Sequence, residues 1–249
     1  MTVQSADTLW FRRYPATGVP RRRLVVLPHA GGNAAFYHAW GTAFDPKTEV
    51  LVARYPGRQE RIAEPCVPSM GELADRLTGA LLPLAAQLPL VLFGHSMGAS
   101  LAYETVLRLE NLHQVRPAGL AVSARPAPHR VAPKSAYLGG DRALIEEVRR
   151  LGGTDAALLE DPDLAELLLP AIRADFRIVG TYGPRPATPV RCPVVAFTGD
   201  RDTALEHDDV AAWGEVAPAG FALKVLPGGH FYLVEQQPAV VAEIQARWC

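Results

Sequence analysis

The sequence predicts an α/β fold with a mostly parallel central sheet and helices on both faces. Short apolar runs, typical of strands buried on both sides, alternate along the chain with segments whose apolar residues recur at helical spacing. One of these runs passes directly into a helix through a glycine-rich turn, Gly94-x-Ser96-x-Gly98. A chain of 249 residues, 49% of them apolar, suffices for one such domain with a large core. We therefore expect a single domain covering residues 1–249.

The predicted elements follow one another in the order that a parallel sheet requires. Strands are predicted at residues 9–14, 24–27, 49–54, 90–93, 119–123, 193–197 and 221–226. Residues 69–87 open with the capping-box pattern Ser69-Met-Gly-Glu72 and repeat leucine at helical spacing, which predicts a helix. Helices are also predicted directly after the Gly94-x-Ser96-x-Gly98 turn and at about 238–248.

The alternation stops between Ala124 and about Pro189, where no strand pattern is present. Helical segments are predicted at 141–151 and 163–182, broken at Gly152-Gly153 and at Pro170. An insertion of this kind (about 124–189) is expected to form a helical lid over the carboxyl edge of the sheet. An apolar lid would cover an apolar acyl group. Plain packing of these helices into the core is the alternative.

The turn around Ser96 joins a predicted buried strand to a predicted helix. Glycine two residues before and two residues after the serine removes the Cβ atoms that would collide in so tight a reversal. The turn resembles the nucleophile elbow of the α/β-hydrolases, in which the hydroxyl attacks a carbonyl carbon. The Met97 N–H, first in the helix, would then point at the developing oxyanion. The alternative is a glycine-rich turn with a capping serine, which predicts no partner histidine or carboxylate downstream.

A second glycine-rich loop, Pro28-His29-Ala30-Gly31-Gly32-Asn33, follows the strand at 24–27. In α/β-hydrolases this loop supplies the second amide of the oxyanion hole, and we assign that role to Ala30 N–H. His29 precedes the serine and lies inside the loop. We expect it to shape the loop rather than to transfer a proton.

A histidine and two aspartates follow the last two predicted strands. His230 lies in Gly228-Gly-His-Phe231, and Asp200 and Asp202 both lie in the preceding turn. The order Ser96, aspartate, His230 is that of the α/β-hydrolases, and each residue comes just after a strand. Asp202 is our choice of acid because the acid usually stands three residues beyond the turn glycine, whereas Asp200 is expected to cap the turn. Ser96, Asp202 and His230 are thus the candidate catalytic residues.

The chain as a whole resembles the type II thioesterases that accompany polyketide and nonribosomal peptide synthases. The resemblance is carried by residues 27–32, 55–61, 93–98, 168–176, 199–202 and 228–233, together with Tyr182 and Trp213. It implies hydrolysis of acyl groups from the 4'-phosphopantetheine arm of acyl or peptidyl carrier proteins, which clears stalled synthase modules. One departure stands at the start of the lid, where this chain has Ala124 before Arg125 and the family usually has glycine.

The resemblance and the composition also define the expected partners. We expect a cytoplasmic monomer that acts on carrier protein domains and needs no cofactor or metal, since pantetheine belongs to the substrate. A net charge of −1 gives no reason to expect nucleic-acid binding. The first residues lack the apolar stretch typical of a signal peptide and no apolar run approaches membrane-spanning length, so we expect neither a signal peptide nor a membrane span. The cysteines, at positions 66, 192 and 249, form neither a disulfide framework nor a zinc-binding pattern.

The sequence leaves open the role of several arginines and the type of reaction. Arg54, Arg58 and Arg61 are interpreted as a solvated face, or alternatively as a site for a phosphate; with Arg125 they are candidates for carrier docking. The same catalytic residues would also serve a carboxylesterase, or an acyltransferase or cyclase. A non-catalytic module that only docks carriers is the remaining alternative.

Overall fold

The computed structural model describes residues 9–133, 135, 138–152 and 158–248. Its strands are β1 (Phe11–Tyr14), β2 (Arg22–Leu27), β3 (Thr48–Ala53), β4 (Leu90–His95), β5 (Gly119–Ser123), β6 (Val194–Gly199) and β7 (Phe221–Leu226). Its α-helices are α1 (Met70–Ala85), α2 (Met97–Leu112), α3 (Gly140–Leu151), α4 (Pro162–Thr181), α5 (His207–Ala211) and α6 (Gln237–Trp248). Short 3₁₀ turns occupy several of the connections.

The strands form one sheet in the order β1-β3-β2-β4-β5-β6-β7. β1 pairs antiparallel with β3, and every other neighbouring pair is parallel. The predicted mostly parallel sheet is confirmed, and each predicted strand is present with ends shifted by a few residues. Because β2 to β7 run in one direction, the loops that follow them meet at one edge of the sheet.

Both faces of the sheet are covered, as the continuous apolar runs predict. Alternate residues along β2, such as Leu24 and Val25, point into two different core clusters. One cluster packs against α1 and α2, and the other against α6 and the aromatic residues at 36–44. The N-terminus of α1 is capped by Ser69, whose hydroxyl accepts a hydrogen bond from Glu72 N–H at 3.3 Å, so this predicted helix is also confirmed.

The insertion between β5 and β6 is helical and contains no strand among its described residues. α3 ends at Leu151, and the next residue, Gly152, adopts a left-handed conformation (φ 82°) typical of a helix C-terminus. Gly153, the second residue of the predicted break, lies outside the described residues. The predicted break at Pro170 is wrong, because α4 continues through it. Proline has no N–H, so the carbonyl of Glu166 lacks its helical hydrogen-bond donor. Both Glu166 and Pro170 are exposed, so a water molecule can donate that hydrogen bond instead.

The insertion lies over the carboxyl edge of the sheet. α3 and α4 pack together through a small buried cluster that includes Val148, Ile172 and Phe176. Ala30, in the loop after β2, packs against the same cluster. This places α4 directly against the loop that was predicted to form the oxyanion hole. No helix in the described part of the chain has both the length and the apolar character needed to cross a membrane.

Candidate active site

Ser96 stands at the sharp turn between β4 and α2. Its backbone angles, φ 54° and ψ −115°, are in a region that non-glycine residues rarely adopt. A Cβ atom on Gly94 would lie 2.0 Å from Gly98 O, and one on Gly98 would lie 2.0 Å from Leu27 O. The prediction that this turn requires glycine on both sides of the serine is therefore confirmed.

Ser96, His230 and Asp202 form a continuous hydrogen-bonded line, although they are far apart in the sequence. The Nε2 atom of His230 lies 3.1 Å from Ser96 Oγ, and its Nδ1 lies 2.7 Å from Asp202 Oδ2. Since a carboxylate can only accept, Nδ1 carries the proton and Nε2 is available to accept one from the serine hydroxyl. The Asp202 side chain is 1% exposed. The arrangement has the geometry needed to activate Ser96 as a nucleophile.

Asp200 has a different position from Asp202. Its side chain is 46% exposed, and its Oδ1 accepts a hydrogen bond from Gly228 N–H at 2.8 Å. Asp200 therefore joins the turn after β6 to the turn after β7. It supports the loop that carries His230 but makes no contact with the imidazole among the described interactions.

The two amides proposed for the oxyanion hole belong to Met97 and Ala30. Met97 is the first residue of α2, where an N–H has no acceptor within the helix. In the loop after β2, Gly31 N–H donates to Asp175 Oδ2 at 2.8 Å, whereas no described residue accepts a hydrogen bond from Ala30 N–H. The amide of Ala30, rather than that of Gly31, is thus available for a ligand.

A chamber of about 200 Å³ lies between the sheet edge and the insertion. Ser96, His230 and Ala30 all lie in its wall. The insertion contributes the apolar residues Phe176 and Val179 and also the charged residues Arg125 and Glu147. The described residues contain no group of three His, Cys, Asp or Glu that could hold a metal ion.

Two further histidines, His29 and His95, are buried near the candidate catalytic residues, and their rings contact each other with 5.9 Å between centroids. His29 is 5% exposed, its ring meets the edges of Phe36 and Phe231, and burial lowers its pKa to about 3, with smaller contributions from His230 and Arg58. It is therefore uncharged near neutral pH. A Cβ on Gly32 would lie 2.8 Å from the His29 ring, which agrees with the expectation that this histidine shapes the loop.

His95, for which no role was predicted, is fully buried beside His230 with 5.3 Å between ring centroids. Its Nδ1 lies 2.8 Å from Ser123 Oγ, and that hydroxyl lies 2.6 Å from the Tyr232 hydroxyl. The feature of the sequence that could have indicated a role for His95 is its position directly before the candidate nucleophile. Its contacts tie β4, β5 and the loop carrying His230 together.

The interpretation of Arg58 and Arg61 as part of a solvated face is wrong. They are 8% and 3% exposed, so neither is available as a surface site for a phosphate or for carrier docking. Arg125, the other buried docking candidate, is 5% exposed and lies in the wall of the chamber rather than on the outer surface. Arg61 forms a two-point ion pair with Glu64 at 2.6 and 2.7 Å. Arg54 is only partly buried.

Arg125 donates to Ser100 Oγ at 2.8 Å, and its carbonyl accepts from the indole of Trp213 at 2.9 Å. Burial lowers the pKa of Arg125 to about 10. The residue before it, Ala124, has φ 50°. Such a conformation is costly for a residue with a Cβ atom, which explains why glycine suits this position. In this chain the Ala124 methyl group is buried in the core, and its burial offsets part of that cost.

Comparison with known proteins identifies the chain. A family model described as a thioesterase domain matches residues 22–248. The chain belongs to the thioesterase family. Thioesterase PikA5 of Streptomyces venezuelae is 43% identical over 236 residues, which are 95% of this chain and 84% of that protein. The gramicidin S biosynthesis protein GrsT of Aneurinibacillus migulanus is 33% identical over 95% of this chain and 93% of its own length.

Solved structures agree with this assignment. BorB, a type II thioesterase from the borrelidin biosynthetic cluster, superimposes with a TM-score of 0.86 at 38% identity, covering 99% of this chain and 98% of BorB. YbtT, a type II thioesterase from the yersiniabactin pathway, gives a TM-score of 0.87 at 28% identity over 96% and 98% of the two chains. The resemblance to type II thioesterases of polyketide and nonribosomal peptide biosynthesis is confirmed, as is the α/β-hydrolase fold.

Proposed function

We propose that this thioesterase hydrolyses acyl groups from the 4'-phosphopantetheine arm of acyl or peptidyl carrier proteins, through an acyl-enzyme on Ser96. The observation that carries the proposal is the hydrogen-bonded line from Ser96 through His230 to Asp202, open to a chamber beneath the insertion. The likeness to thioesterases of biosynthetic clusters supports the carrier-bound substrate.

In the first half of the reaction the Ser96 hydroxyl attacks the thioester carbonyl carbon while His230 Nε2 takes its proton. Asp202 holds the imidazole in the required tautomer and stabilises its positive charge. The carbonyl oxygen becomes negative and is stabilised by the amides of Met97 and Ala30. The carbon–sulfur bond then breaks, and the pantetheine thiol leaves with the proton from His230. A thiol with a pKa of about 8.5 is a good leaving group, so His230 need not act as a strong general acid.

In the second half a water molecule attacks the acyl-enzyme. His230 removes a proton from the water, the same two amides hold the oxyanion, and the carboxylic acid leaves as Ser96 regains its proton. The proposed reaction requires no metal and no cofactor of the enzyme's own. In a biosynthetic pathway, this reaction would free carrier proteins from aberrant or stalled acyl groups.

The test compares three substrates: an acyl-loaded carrier protein, a small-molecule thioester and an oxygen ester. We expect kcat/KM to be highest for the acyl-carrier protein and the released product to be the free acid. Ser96→Ala should abolish release, whereas Ser69→Ala should retain it because Ser69 caps α1 and does not line the chamber. Preference for the oxygen ester would favour a carboxylesterase. Transfer of the acyl group to an acceptor other than water would favour an acyltransferase or cyclase.

The non-catalytic alternative has its own outcome in the same experiment. A module that only docks carriers would bind acyl-carrier protein without releasing acid, in wild type and Ser96→Ala alike. Acyl release unchanged by Ser96→Ala would refute the proposed nucleophile directly.

A further inference from the structure

Arg58 and Asp175 form a buried ion pair between two segments that lie 117 residues apart. The guanidinium donates to both carboxylate oxygens, with Nη1 at 2.6 Å from Oδ2 and Nη2 at 2.7 Å from Oδ1. Arg58 is 8% exposed and Asp175 is 2% exposed. Burial by itself would lower the pKa of Arg58, but the Asp175 carboxylate raises it above its usual value. Arg58 therefore stays charged, and its two hydrogen bonds to the Asp175 carboxylate hold the pair in one geometry.

Each member of the pair also binds the oxyanion loop (residues 28–33). Asp175 Oδ2 accepts the hydrogen bond from Gly31 N–H at 2.8 Å, and Arg58 Nη1 donates to Gly32 O at 3.1 Å. On the other side of Ala30, the Tyr55 hydroxyl donates to Pro28 O at 3.1 Å. The loop around Ala30 is thus held by three side-chain contacts, at Pro28 O, Gly31 N–H and Gly32 O, and by the backbone hydrogen bond from Gly32 N–H to His29 O at 2.9 Å, while Ala30 N–H itself has no described acceptor.

Asp175 belongs to α4, so the loop is tied to the insertion. The neighbours of Asp175 on the same helix face, Ile172 and Phe176, belong to the buried cluster against which Ala30 packs. A Cβ atom on Gly31 would lie 3.2 Å from the Ile172 side chain, which shows how closely helix and loop approach. Any displacement of α4 therefore pulls on the hydrogen bond to Gly31 N–H.

We propose that Arg58 and Asp175 are positioning residues for the thioesterase reaction, which orient the Ala30 amide and make its orientation depend on the docking of α4. This inference rests on the proposed function of the site. A buried ion pair is an inefficient way to stabilise a fold, since apolar residues of similar size serve as well or better. The ion pair also forms hydrogen bonds with Gly31 N–H and Gly32 O of the oxyanion loop, and apolar residues could not form these bonds. A misdirected amide weakens the oxyanion hole far more than it weakens substrate binding.

The experiment replaces the pair by apolar residues in the variant Arg58→Met/Asp175→Leu. The matched control is Arg61→Met/Glu64→Leu, which removes another two-point arginine–carboxylate pair that makes no contact with the oxyanion loop. Both variants and the wild type are assayed on an acyl-carrier protein and on p-nitrophenyl acetate, and folding is verified by thermal unfolding.

For the Arg58→Met/Asp175→Leu variant we expect kcat to fall about 100-fold on both substrates with KM within about threefold of wild type. The control should keep kcat within about threefold of wild type on both substrates, because its pair lies away from the loop. A folded Arg58→Met/Asp175→Leu enzyme with wild-type kcat would overturn the inference. An equal loss of kcat in the control would overturn it as well.

If the double variant does not fold, Arg58→Lys carries the test. Lysine keeps the charge but cannot contact both carboxylate oxygens and Gly32 O together, so we expect kcat to fall about tenfold with KM unchanged. Unchanged kcat in folded Arg58→Lys would overturn the inference. The ester substrate separates the two proposals: a wild type inactive on acyl-carrier protein refutes the proposed function, and the ester still reports on the Ala30 amide.

Discussion

Two uncharged histidines buried beside Ser96 make the stability of this protein depend on pH. Burial lowers the pKa of His29 to about 3, and burial also holds the pKa of His95 well below its ordinary value, with a smaller contribution from the neighbouring His230. In the unfolded chain both side chains have a pKa of about 6.5. At pH values between the folded and the unfolded pKa of each histidine, the unfolded chain binds a proton that the folded protein does not accept. The free energy of unfolding is therefore greatest above about pH 6.5 and decreases as the pH falls below it.

The size of the effect follows from the two pKa values of His29. Lowering the pH from about 7.5 to about 5 protonates the unfolded side chain almost completely, which costs about 2 kcal/mol of unfolding free energy. His95 adds to this loss because burial also lowers its pKa. We therefore expect the two histidines together to cost more than about 2 kcal/mol of unfolding free energy over this pH range.

The assay is urea unfolding of wild type and variants across this pH range. His29→Phe should reduce the loss by about 2 kcal/mol, because phenylalanine does not titrate and fits the surrounding aromatic rings. His113→Gln, at an exposed position, should keep the full loss. The pH dependence itself is the readout, so a constant change in stability from either substitution does not affect the test. Equal pH dependence in His29→Phe and wild type would refute the reasoning.

Two further predictions concern the turn and the acid. Gly98→Ala should destabilise the fold by about 3 kcal/mol or more and abolish acyl release, because the new methyl group would lie 2.0 Å from Leu27 O. The control Gly79→Ala, at an open helical position, should stabilise the fold by about 0.5–1 kcal/mol. Equal thermal unfolding of the two variants would contradict this prediction. Asp202→Asn should lower kcat by about 10³ to 10⁴-fold because the neighbouring imidazole loses its required tautomer, while Asp200→Asn should retain most of kcat. Steady-state kinetics that rank the two aspartates in the opposite order would exclude Asp202 as the acid.

The sheet and the candidate catalytic residues could be predicted because local sequence determines them. A strand buried on both faces must be a continuous apolar run, and the elbow must have glycine on both sides of Ser96. The carboxyl ends of parallel strands meet at one edge, so the order of Ser96, Asp202 and His230 along the chain sufficed to bring them together. Only the choice between Asp200 and Asp202 needed a spacing, that of three residues between Gly199 and Asp202.

The buried arginines could not be predicted in the same way, because a charged residue is assigned to the core only when its partner is known. The partner of Arg58 lies on a different element, 117 residues away. One signal was present: Asp175 lies three residues after Ile172 and four before Val179, on the apolar face of α4. An acidic residue on such a face requires a buried donor, but the sequence does not say which arginine provides it.

At two further positions, Pro170 and Ala124, the backbone conformation depends on the surrounding structure and could not be predicted from local sequence. Proline usually ends a helix, yet α4 continues through Pro170 because the freed carbonyl faces solvent. The positive φ of Ala124 depends on how the chain leaves β5, and the alanine could be recognised as strained only in the folded structure.

The most direct test of the proposed mechanism is intact-mass analysis of the enzyme, quenched rapidly after mixing with an acyl-loaded carrier protein. We predict that the mass of the wild-type enzyme increases by the acyl group, that peptide mapping locates it on Ser96, and that it disappears as free acid accumulates. Acid release with no acylated Ser96 at any time, or with the acyl group on another residue, would contradict the mechanism.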